Sequence, residues 1–233
     1  MAERTIGVYP SNRYKFRTNA AYRALWVFLP RPRAKIIAEQ LTYLDFHEWL
    51  MDNLRHASDT DPTDDDWSPL VFSVAEGFYK TDVLLYASVC EAALYSVLHS
   101  HYIAEGDLAN QAVKDCFVRV EDRFHQVCGH EASLALHPQT VTGHLCLHFT
   151  HEAPLSSSDV KFISLIRAGE AIRIYDTAFR RRLDNLREDR NSIHLAKQIE
   201  RNNQLRAFQD EDRAKAKKTT EDLRIALHAF VTQ

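Results

Sequence analysis

Two arginines and a histidine near residue 190 have the types and the spacing for phosphate chemistry. Arg187, Arg190 and His194 stand at positions i, i+3 and i+7, which share one flank of an ideal helix. A guanidinium holds two phosphate oxygens at once, and an imidazole titrates nearest to neutral pH. The three residues therefore predict a site that binds and acts on phosphates, with RNA as the expected ligand.

The element that would position these residues is a long helix near the carboxyl end. The last proline is Pro154 and the last glycine is Gly169, so the remaining chain favours helix. The residues at 156–159, Ser-Ser-Ser-Asp, offer an N-cap for this helix. Its inward stripe consists of Leu165, Ile172, Tyr175, Phe179, Leu183, Leu186 and Ile193.

Four further helices are predicted from hydrophobic periodicity, at about residues 33–56, 69–103, 108–127 and 212–231. The second is apolar around most of its circumference, which is typical of a central helix. Because Glu91 lies within it, we expect an arginine or a backbone donor beside that carboxylate.

One segment breaks the helical pattern. Helix-breaking residues and alternating apolar side chains between 129 and 156 favour a short strand or hairpin. The sequence thus predicts an all-α fold, a helical bundle with a short β-hairpin or irregular insertion near 133–152. Residues 1–68 are expected to form a basic, aromatic arm and a helix, and residues 69–233 the main helical domain, with both parts in one compact unit.

Composition limits the class of protein. A chain of 233 residues with 45% hydrophobic and 10% aromatic residues can bury a substantial core, which excludes a disordered protein. The amino terminus lacks a signal-peptide pattern, and the longest apolar run, 83–98, is too short to span a membrane, so we expect a cytoplasmic protein without membrane contact. Four cysteines without a CxxC pair predict reduced thiols.

Charge is distributed unevenly along the chain although the net charge is only −3. Residues 1–40 carry eight basic against two acidic side chains, residues 41–160 five against nineteen, and residues 161–233 sixteen against eleven. Basic ends can steer a polyanion to one face, or they can pack against the acidic middle or a second copy.

With these helices in place, the chain resembles the HEPN superfamily over about residues 70–231. RNase members of this all-helical family carry an arginine four to six residues before a histidine near the end of a long helix. Six residues separate Arg187 from His194, which fits this spacing. The family's arginine is commonly followed by a polar residue such as asparagine, and that feature belongs to Arg190 and Asn191 instead. Either arginine therefore matches part of the pattern.

The resemblance implies a metal-independent endoribonuclease of the toxin or antiviral-defence kind, with no cofactor. His194 would act as general base or acid, Arg187 and Arg190 would stabilise the phosphorane, and Asn191 would orient the phosphate or the imidazole, with Glu91 in support. The products would be a 2′,3′-cyclic phosphate and a 5′-hydroxyl. The resemblance also implies a homodimer with facing motifs and an antitoxin or defence-system partner.

A second interpretation needs no catalysis. If the two arginines pair with Asp184, Glu188 or Glu91, and His194 only ends a helix, the domain is an inactive interaction or sensing module. An open basic groove would favour the enzyme, and buried pairing would favour the module.

Additional RNA contacts are expected at Arg13, Lys15, Arg17, Arg180 and Arg181. The first three interleave with aromatic side chains in an arm suited to stacking bases, although such an arm can equally pack on a neighbouring element. A third interpretation is a zinc-stabilised regulatory domain, but the spacing matches no standard zinc finger, so we expect no metal. Its candidate ligands are Cys128, His130, His144, Cys146, His148 and His151.

Overall fold

The structure of the protein is a computed structural model. It describes residues 19–60, 67–126, 132–136, 139–143, 146–193 and 208–233. Only the backbone is described at 54–60, 67–73, 121–126, 132–136, 139–143 and 146–151. His194 and the predicted RNA contacts Arg13, Lys15 and Arg17 lie outside the described residues.

Helices dominate the described chain, which confirms the predicted helical class. In chain order they are α1 (Asn19–Leu25), α2 (Arg31–Thr60), α3 (Trp67–Glu105), α4 (Gln111–Phe117), α5 (Phe162–Ala171), α6 (Thr177–Ser192) and α7 (Asp210–Val231). A short 3-10 turn, Gly106–Leu108, follows α3. The central helix is α3, because α2, α4, α5, α6 and α7 all pack against it.

One buried apolar cluster crosses the expected boundary at residue 68. It includes Ile37 and Leu44 of α2, Val83 and Leu94 of α3, and Leu223 of α7, all of them almost inaccessible to solvent. Each of these residues lies on the apolar stripe of its helix, so burial of the stripes holds the helices together. The amino-terminal helices thus share a core with the rest of the described chain.

The helix predicted over 108–127 is wrong beyond Phe117. From Val118 onward the chain alternates β-branched and polar residues, and Val120 continues that period of two, which favours a strand. The strands are β1 (Val118–Gln126), β2 (Ala132–Leu136), β3 (Gln139–Gly143) and β4 (Cys146–Pro154).

The strands form two antiparallel pairs. In one, β1 runs against β4, from Val118 opposite Pro154 to Gln126 opposite Cys146. In the other, β2 pairs with β3. The predicted insertion near 133–152 is therefore a β region, and it begins earlier than expected, at Val118.

The single long helix expected to carry the arginines is two helices. The chain leaves α5 at Ile172, and Arg173 adopts a left-handed backbone conformation with φ of 61°. Asp176 then caps α6, because its carboxylate accepts a hydrogen bond of 2.8 Å from the backbone N–H of Phe179. This aspartate is the helix-start signal that the sequence prediction passed over.

The predicted N-cap at 156–159 is also wrong. The N-cap residue of α5 is Lys161, which makes no side-chain capping bond. Ser156 instead donates to Asp159 Oδ2 at 2.7 Å, within the turn that precedes the helix. Serine and aspartate side chains stabilise such turns as readily as they cap helices. The residues at 156–159 therefore lie in the turn before α5 and do not begin the helix.

Gly169 fits a close approach between α5 and the following turn. The ring of buried Tyr175 lies against this glycine, and a Cβ at position 169 would stand 2.7 Å from Tyr175 Cζ. The Tyr175 hydroxyl donates to the Ile166 carbonyl at 2.9 Å, which holds the ring in place. The turn that separates α5 from α6 is therefore locked onto α5.

The segment Val74–Leu108 is long and apolar enough to cross a membrane by length and composition. It is longer than the apolar run 83–98, so the sequence argument from length was wrong. The core helix of a soluble protein can be equally long and apolar. More than half of the most apolar stretch of this helix is buried against the rest of the protein. The arrangement is compatible with a soluble protein.

Candidate functional site

The central contact of the candidate site joins α6 to α3. Arg190 Nη1 donates to Glu91 Oε2 at 2.6 Å, and the two side chains are 29% and 28% exposed. This confirms the expectation that an arginine satisfies the carboxylate inside the apolar helix. Neither side chain is sealed in the core, so the Arg190 side chain is partly exposed to solvent.

Arg187 is held differently, by acids of its own helix. Its Nη2 donates to Glu188 Oε1 at 3.3 Å, and its Nε lies 3.7 Å from Asp184 Oδ1. Asp184 also accepts from Arg180 at 3.1 Å, and Arg180 Nε lies 2.9 Å from Glu170 Oε2. These alternating charges form a network along the flank of α5 and α6, so Arg187 and Arg180 are not free cations.

Of the three residues in the predicted row, the structure describes Arg187 and Arg190, which both lie on α6. The last helical residue of α6 is Ser192, and Ile193 is its C-cap. His194 lies outside the described residues, so within the described part of the chain the spacing concerns the two arginines alone. The helix that carries the two arginines ends at Ser192, within a turn of Arg190, and the place of His194 beside them stays a prediction.

The remaining predicted residues contribute less to a basic surface than expected. Arg181 is exposed and makes no ion pair with the described residues, so it is available to an anion. Asn191 is half-buried beside Arg190 on α6. Because Arg180, Arg187 and Arg190 are each neutralised by a carboxylate, the described residues around the arginine row form no open basic groove.

A small pocket of about 240 Å³ lies next to the Arg190–Glu91 contact. Glu91 lines it together with Ser88 and Tyr95 of α3, and Arg33 of α2 closes one side. The Arg33 guanidinium lies over the Tyr95 ring, 5.3 Å from its centroid. The pocket thus places a second arginine, Arg33, near the Glu91 carboxylate. No local sequence pattern predicted this.

Sequence reasoning also missed a buried histidine and aspartate between α2 and α3. His47 Nδ1 lies 2.6 Å from Asp82 Oδ1, and the two side chains are 2% and 1% exposed. The second carboxylate oxygen of Asp82 is buried without a hydrogen-bond partner among the described residues. Burial raises the pKa of Asp82 to about 6, and the hydrogen bond to His47 opposes this shift.

Charged side chains of α7 surround this buried pair. Arg213 Nη2 lies 3.6 Å from Glu48 Oε1 and 2.8 Å from Asp210 Oδ1, and Lys217 donates to Glu48 at 2.7 Å. These contacts tie α7 to α2 next to His47. The signal that could have found the pair is the position of His47 on the inward stripe of α2, between Leu44 and Met51.

No metal site is evident in the part of the chain that the structure describes. No group of three or more histidine, cysteine or acidic side chains there has the geometry to hold a metal ion. Three candidate ligands of the zinc interpretation, Cys128, His130 and His144, lie outside the described residues. For Cys146, His148 and His151 only the strand backbone is described.

Comparisons with protein families, with curated proteins and with solved structures found no match to this chain. Its function is therefore inferred from the residues themselves.

Proposed function

We propose that this chain is a metal-independent endoribonuclease of HEPN type, and that Arg190 is the arginine of its site. The observation that carries the proposal is the contact between Arg190 and Glu91, which fixes a partly exposed arginine side chain against the central helix. An arginine held in one orientation binds a phosphate with less loss of side-chain entropy than a mobile one.

Three features favour Arg190 over Arg187. It is followed by Asn191, which matches the polar residue that commonly follows the arginine in the family. Its carboxylate partner lies on another helix, α3, whereas both carboxylates that pair with Arg187, Asp184 and Glu188, belong to its own helix. It also lies in the last turn of α6, only four positions before His194.

In this reaction His194 removes the proton from an RNA 2′-hydroxyl, whose oxygen attacks the adjacent phosphorus. Arg190 stabilises the negative charge of the phosphorane, and the 5′-oxygen leaves with a proton from a general acid. The bond formed is the 2′-oxygen to phosphorus bond, and the bond broken is the phosphorus to 5′-oxygen bond. The products are a 2′,3′-cyclic phosphate and a 5′-hydroxyl.

A specific observation favours a second candidate, a catalytically inactive interaction module. Arg180, Arg187 and Arg190 are all paired with carboxylates, and such pairing is what a structural role requires. In that case the Arg190–Glu91 contact only stabilises the packing of α6 on α3.

Cleavage of single-stranded RNA by purified protein in EDTA separates the two candidates. The enzyme proposal expects 2′,3′-cyclic phosphate ends from the wild-type protein and a loss of at least about a hundredfold in His194→Ala. Arg190→Gln should lose as much, and Arg187→Gln should stay within about tenfold of wild type. Arg167→Gln, which changes an exposed arginine of α5, is the matched control.

If wild type leaves RNA intact under these conditions and His194→Ala changes neither cleavage nor growth on expression, the enzyme proposal is wrong and the module stands. The proposal includes a cytoplasmic homodimer with the two sites facing a groove, restrained by an antitoxin or defence-system partner. Light scattering after gel filtration measures the mass of the assembly, and a monomer at micromolar concentration would contradict the dimer.

A further inference from the structure

The pocket beside the Arg190–Glu91 contact also reaches the beginning of α2 and the turn before α5. Its volume of about 240 Å³ is smaller than the range of about 300 to 1,000 Å³ that is usual for small-molecule sites. A pocket of this size can take one group of a longer ligand, such as a single phosphate of a nucleic-acid strand. Its lining residues therefore bear on how RNA would lie in the proposed site.

Arg33 of α2 is the cation that this pocket adds to the site. Its guanidinium lies over the Tyr95 ring, 5.3 Å from the centroid. The Tyr95 ring also stacks on His99 and makes an edge contact with Phe117. A guanidinium that rests on a well-packed ring loses less side-chain freedom when it binds an anion, so Arg33 is preorganised for one.

Arg33 differs from the arginines of α6 in that no carboxylate neutralises it. It makes no ion pair with a described residue, and the first turn of α2 contains no acidic side chain. Arg180, Arg187 and Arg190 each pair with a carboxylate. A guanidinium without a carboxylate partner can hold two oxygens of a phosphate at once.

The charges at the pocket leave one positive charge uncompensated. Glu91 lines the pocket, but Arg190 neutralises it at 2.6 Å, so the charge of Arg33 remains. The other lining side chains carry no charge, and one of them, the exposed Ser157, has a hydroxyl that can donate to an anion. A phosphodiester carries a single negative charge and therefore matches this pocket.

We infer that Arg33 binds the RNA phosphate next to the scissile one, in the pocket that it shares with Glu91. This inference rests on the proposed function, which places the scissile phosphate at Arg190. The phosphate at Arg33 does not react, so Arg33 contributes to the affinity and the register of the RNA strand. Its removal should therefore raise KM and leave kcat nearly unchanged.

Anisotropy titrations with a short fluorescent 2′-O-methyl RNA test Arg33 without cleavage, because this RNA has no 2′-hydroxyl to attack the phosphate. Arg33→Gln should weaken binding about tenfold, since it removes a charge-assisted bond to phosphate. The slope of log affinity against log salt concentration should become shallower by about 0.7, the value for one phosphate contact on a single strand. Arg33→Lys keeps the charge and should keep the wild-type slope.

Arg31→Gln is the matched control, because Arg31 lies on the same helix, is exposed and does not line the pocket. Residues two positions apart on a helix point about 200° apart, so Arg31 and Arg33 leave α2 on different sides. Arg31→Gln should bind the RNA within about twofold of wild type, as expected for a screened surface charge. Urea unfolding shows whether each variant is folded.

Cleavage of two short RNAs without terminal phosphates relates Arg33 to the scissile phosphate. A dinucleotide contains only the scissile phosphate, so Arg33→Gln should cleave it with the kcat/KM of wild type. A trinucleotide contains a neighbouring phosphate, and its kcat/KM should fall about tenfold. An equal loss on both RNAs would place Arg33 at the reacting phosphate and overturn the inference.

The binding and cleavage results separate the two proposals. Wild-type protein that does not bind the RNA, or Arg33→Gln that binds it as tightly as Arg31→Gln, overturns the phosphate contact whether or not RNA is cleaved. Weaker binding by Arg33→Gln alone, with a wild-type protein that cleaves no RNA, supports the phosphate contact and overturns the ribonuclease proposal.

Discussion

Arg190 of α6 and Glu91 of α3 lie 99 positions apart in the chain and meet at 2.6 Å. Their contact joins the helix that carries the candidate site to the central helix of the core. Because both side chains are about 70% shielded from solvent, the pair is better protected than a surface ion pair but less costly to break than a buried one.

A double-mutant cycle on this pair should give a coupling free energy of about 1 kcal/mol. Arg190→Ala and Glu91→Ala should each lower the free energy of unfolding by about 1 to 2 kcal/mol, since each leaves a partly shielded charge without its partner. Urea denaturation of the four proteins measures these values.

The pair Glu76–Lys80, which lies within α3 at 2.7 Å, is the control for this cycle. Its coupling should be no more than about 0.5 kcal/mol, as for other pairs one helical turn apart. A coupling at Arg190–Glu91 no larger than that of the control would show that the cross-helix contact contributes nothing specific.

Stability should depend on pH through Asp82. Its pKa in the folded protein, about 6, is above the value of 3.8 for an unburied aspartate. The folded state therefore binds the proton more tightly than the unfolded state between these values. The contribution of Asp82 is fully present below pH 3.8 and is lost as pH rises through about 6.

Asp82→Asn should remove this dependence, because the amide keeps the shape and an acceptor for His47 but does not ionise. The free energy of unfolding of wild type minus that of Asp82→Asn should fall by up to about 3 kcal/mol between pH 4 and 7. Urea titrations at four pH values measure this difference. A difference that rises with pH would reverse the sign and contradict the burial of this carboxyl.

Gly169→Ala should destabilise the protein by about 1 to 3 kcal/mol. Alanine normally stabilises a helix relative to glycine, but here the new Cβ would stand within 2.9 Å of two Tyr175 ring carbons. The ring cannot move freely, because its hydroxyl is bonded to the Ile166 carbonyl. Thermal or urea unfolding measures the change.

Gly77→Ala is the matched substitution. Gly77 lies within α3 and is exposed, and a Cβ added there would meet no described atom within 4 Å, so alanine should stabilise by about 0.5 to 1 kcal/mol. Opposite signs at the two glycines are the expected outcome. Stabilisation at both positions would mean that Tyr175 does not pack against Gly169.

Cys90 and Cys116 should resist alkylation in the folded protein. Both are free and buried, and burial raises the pKa of each thiol to about 12. The thiolate fraction near pH 8 is then roughly a thousandfold lower than for an ordinary cysteine. Peptide mass spectrometry after timed iodoacetamide treatment measures each site separately.

Protein unfolded in urea supplies the reference rate for that experiment, and both cysteines should react there at the rate of a model thiol. If Cys90 reacts as fast in the folded protein as in urea, its contact with Thr220, at 3.3 Å between Sγ and Oγ1, does not lie in a closed core.

Periodicity in the sequence predicted most of the helices, and these predictions agree with α2, α3 and α7 to within a few residues. The helix prediction from periodicity failed at Val118 and at Ile172, where local sequence patterns are compatible with more than one structure. Alternating valines can continue an amphipathic helix or begin a strand, and the pairing of β1 with β4, which is distant in the chain, decides between them. The positive φ of Arg173 has no marker in a sequence that offers no glycine there.

The sequence by itself determined that Glu91, inside an apolar helix, requires a donor, because an unpaired carboxylate is too costly to bury. It also identified Asp184, Glu188 and Glu91 as carboxylates with which Arg187 and Arg190 could pair. Only the tertiary structure decided that Glu91 and Arg190 satisfy each other and that Arg187 pairs with Asp184 and Glu188 instead. The physical reason is that periodicity specifies which face of a helix is buried, whereas the partner across that face depends on how the helices cross.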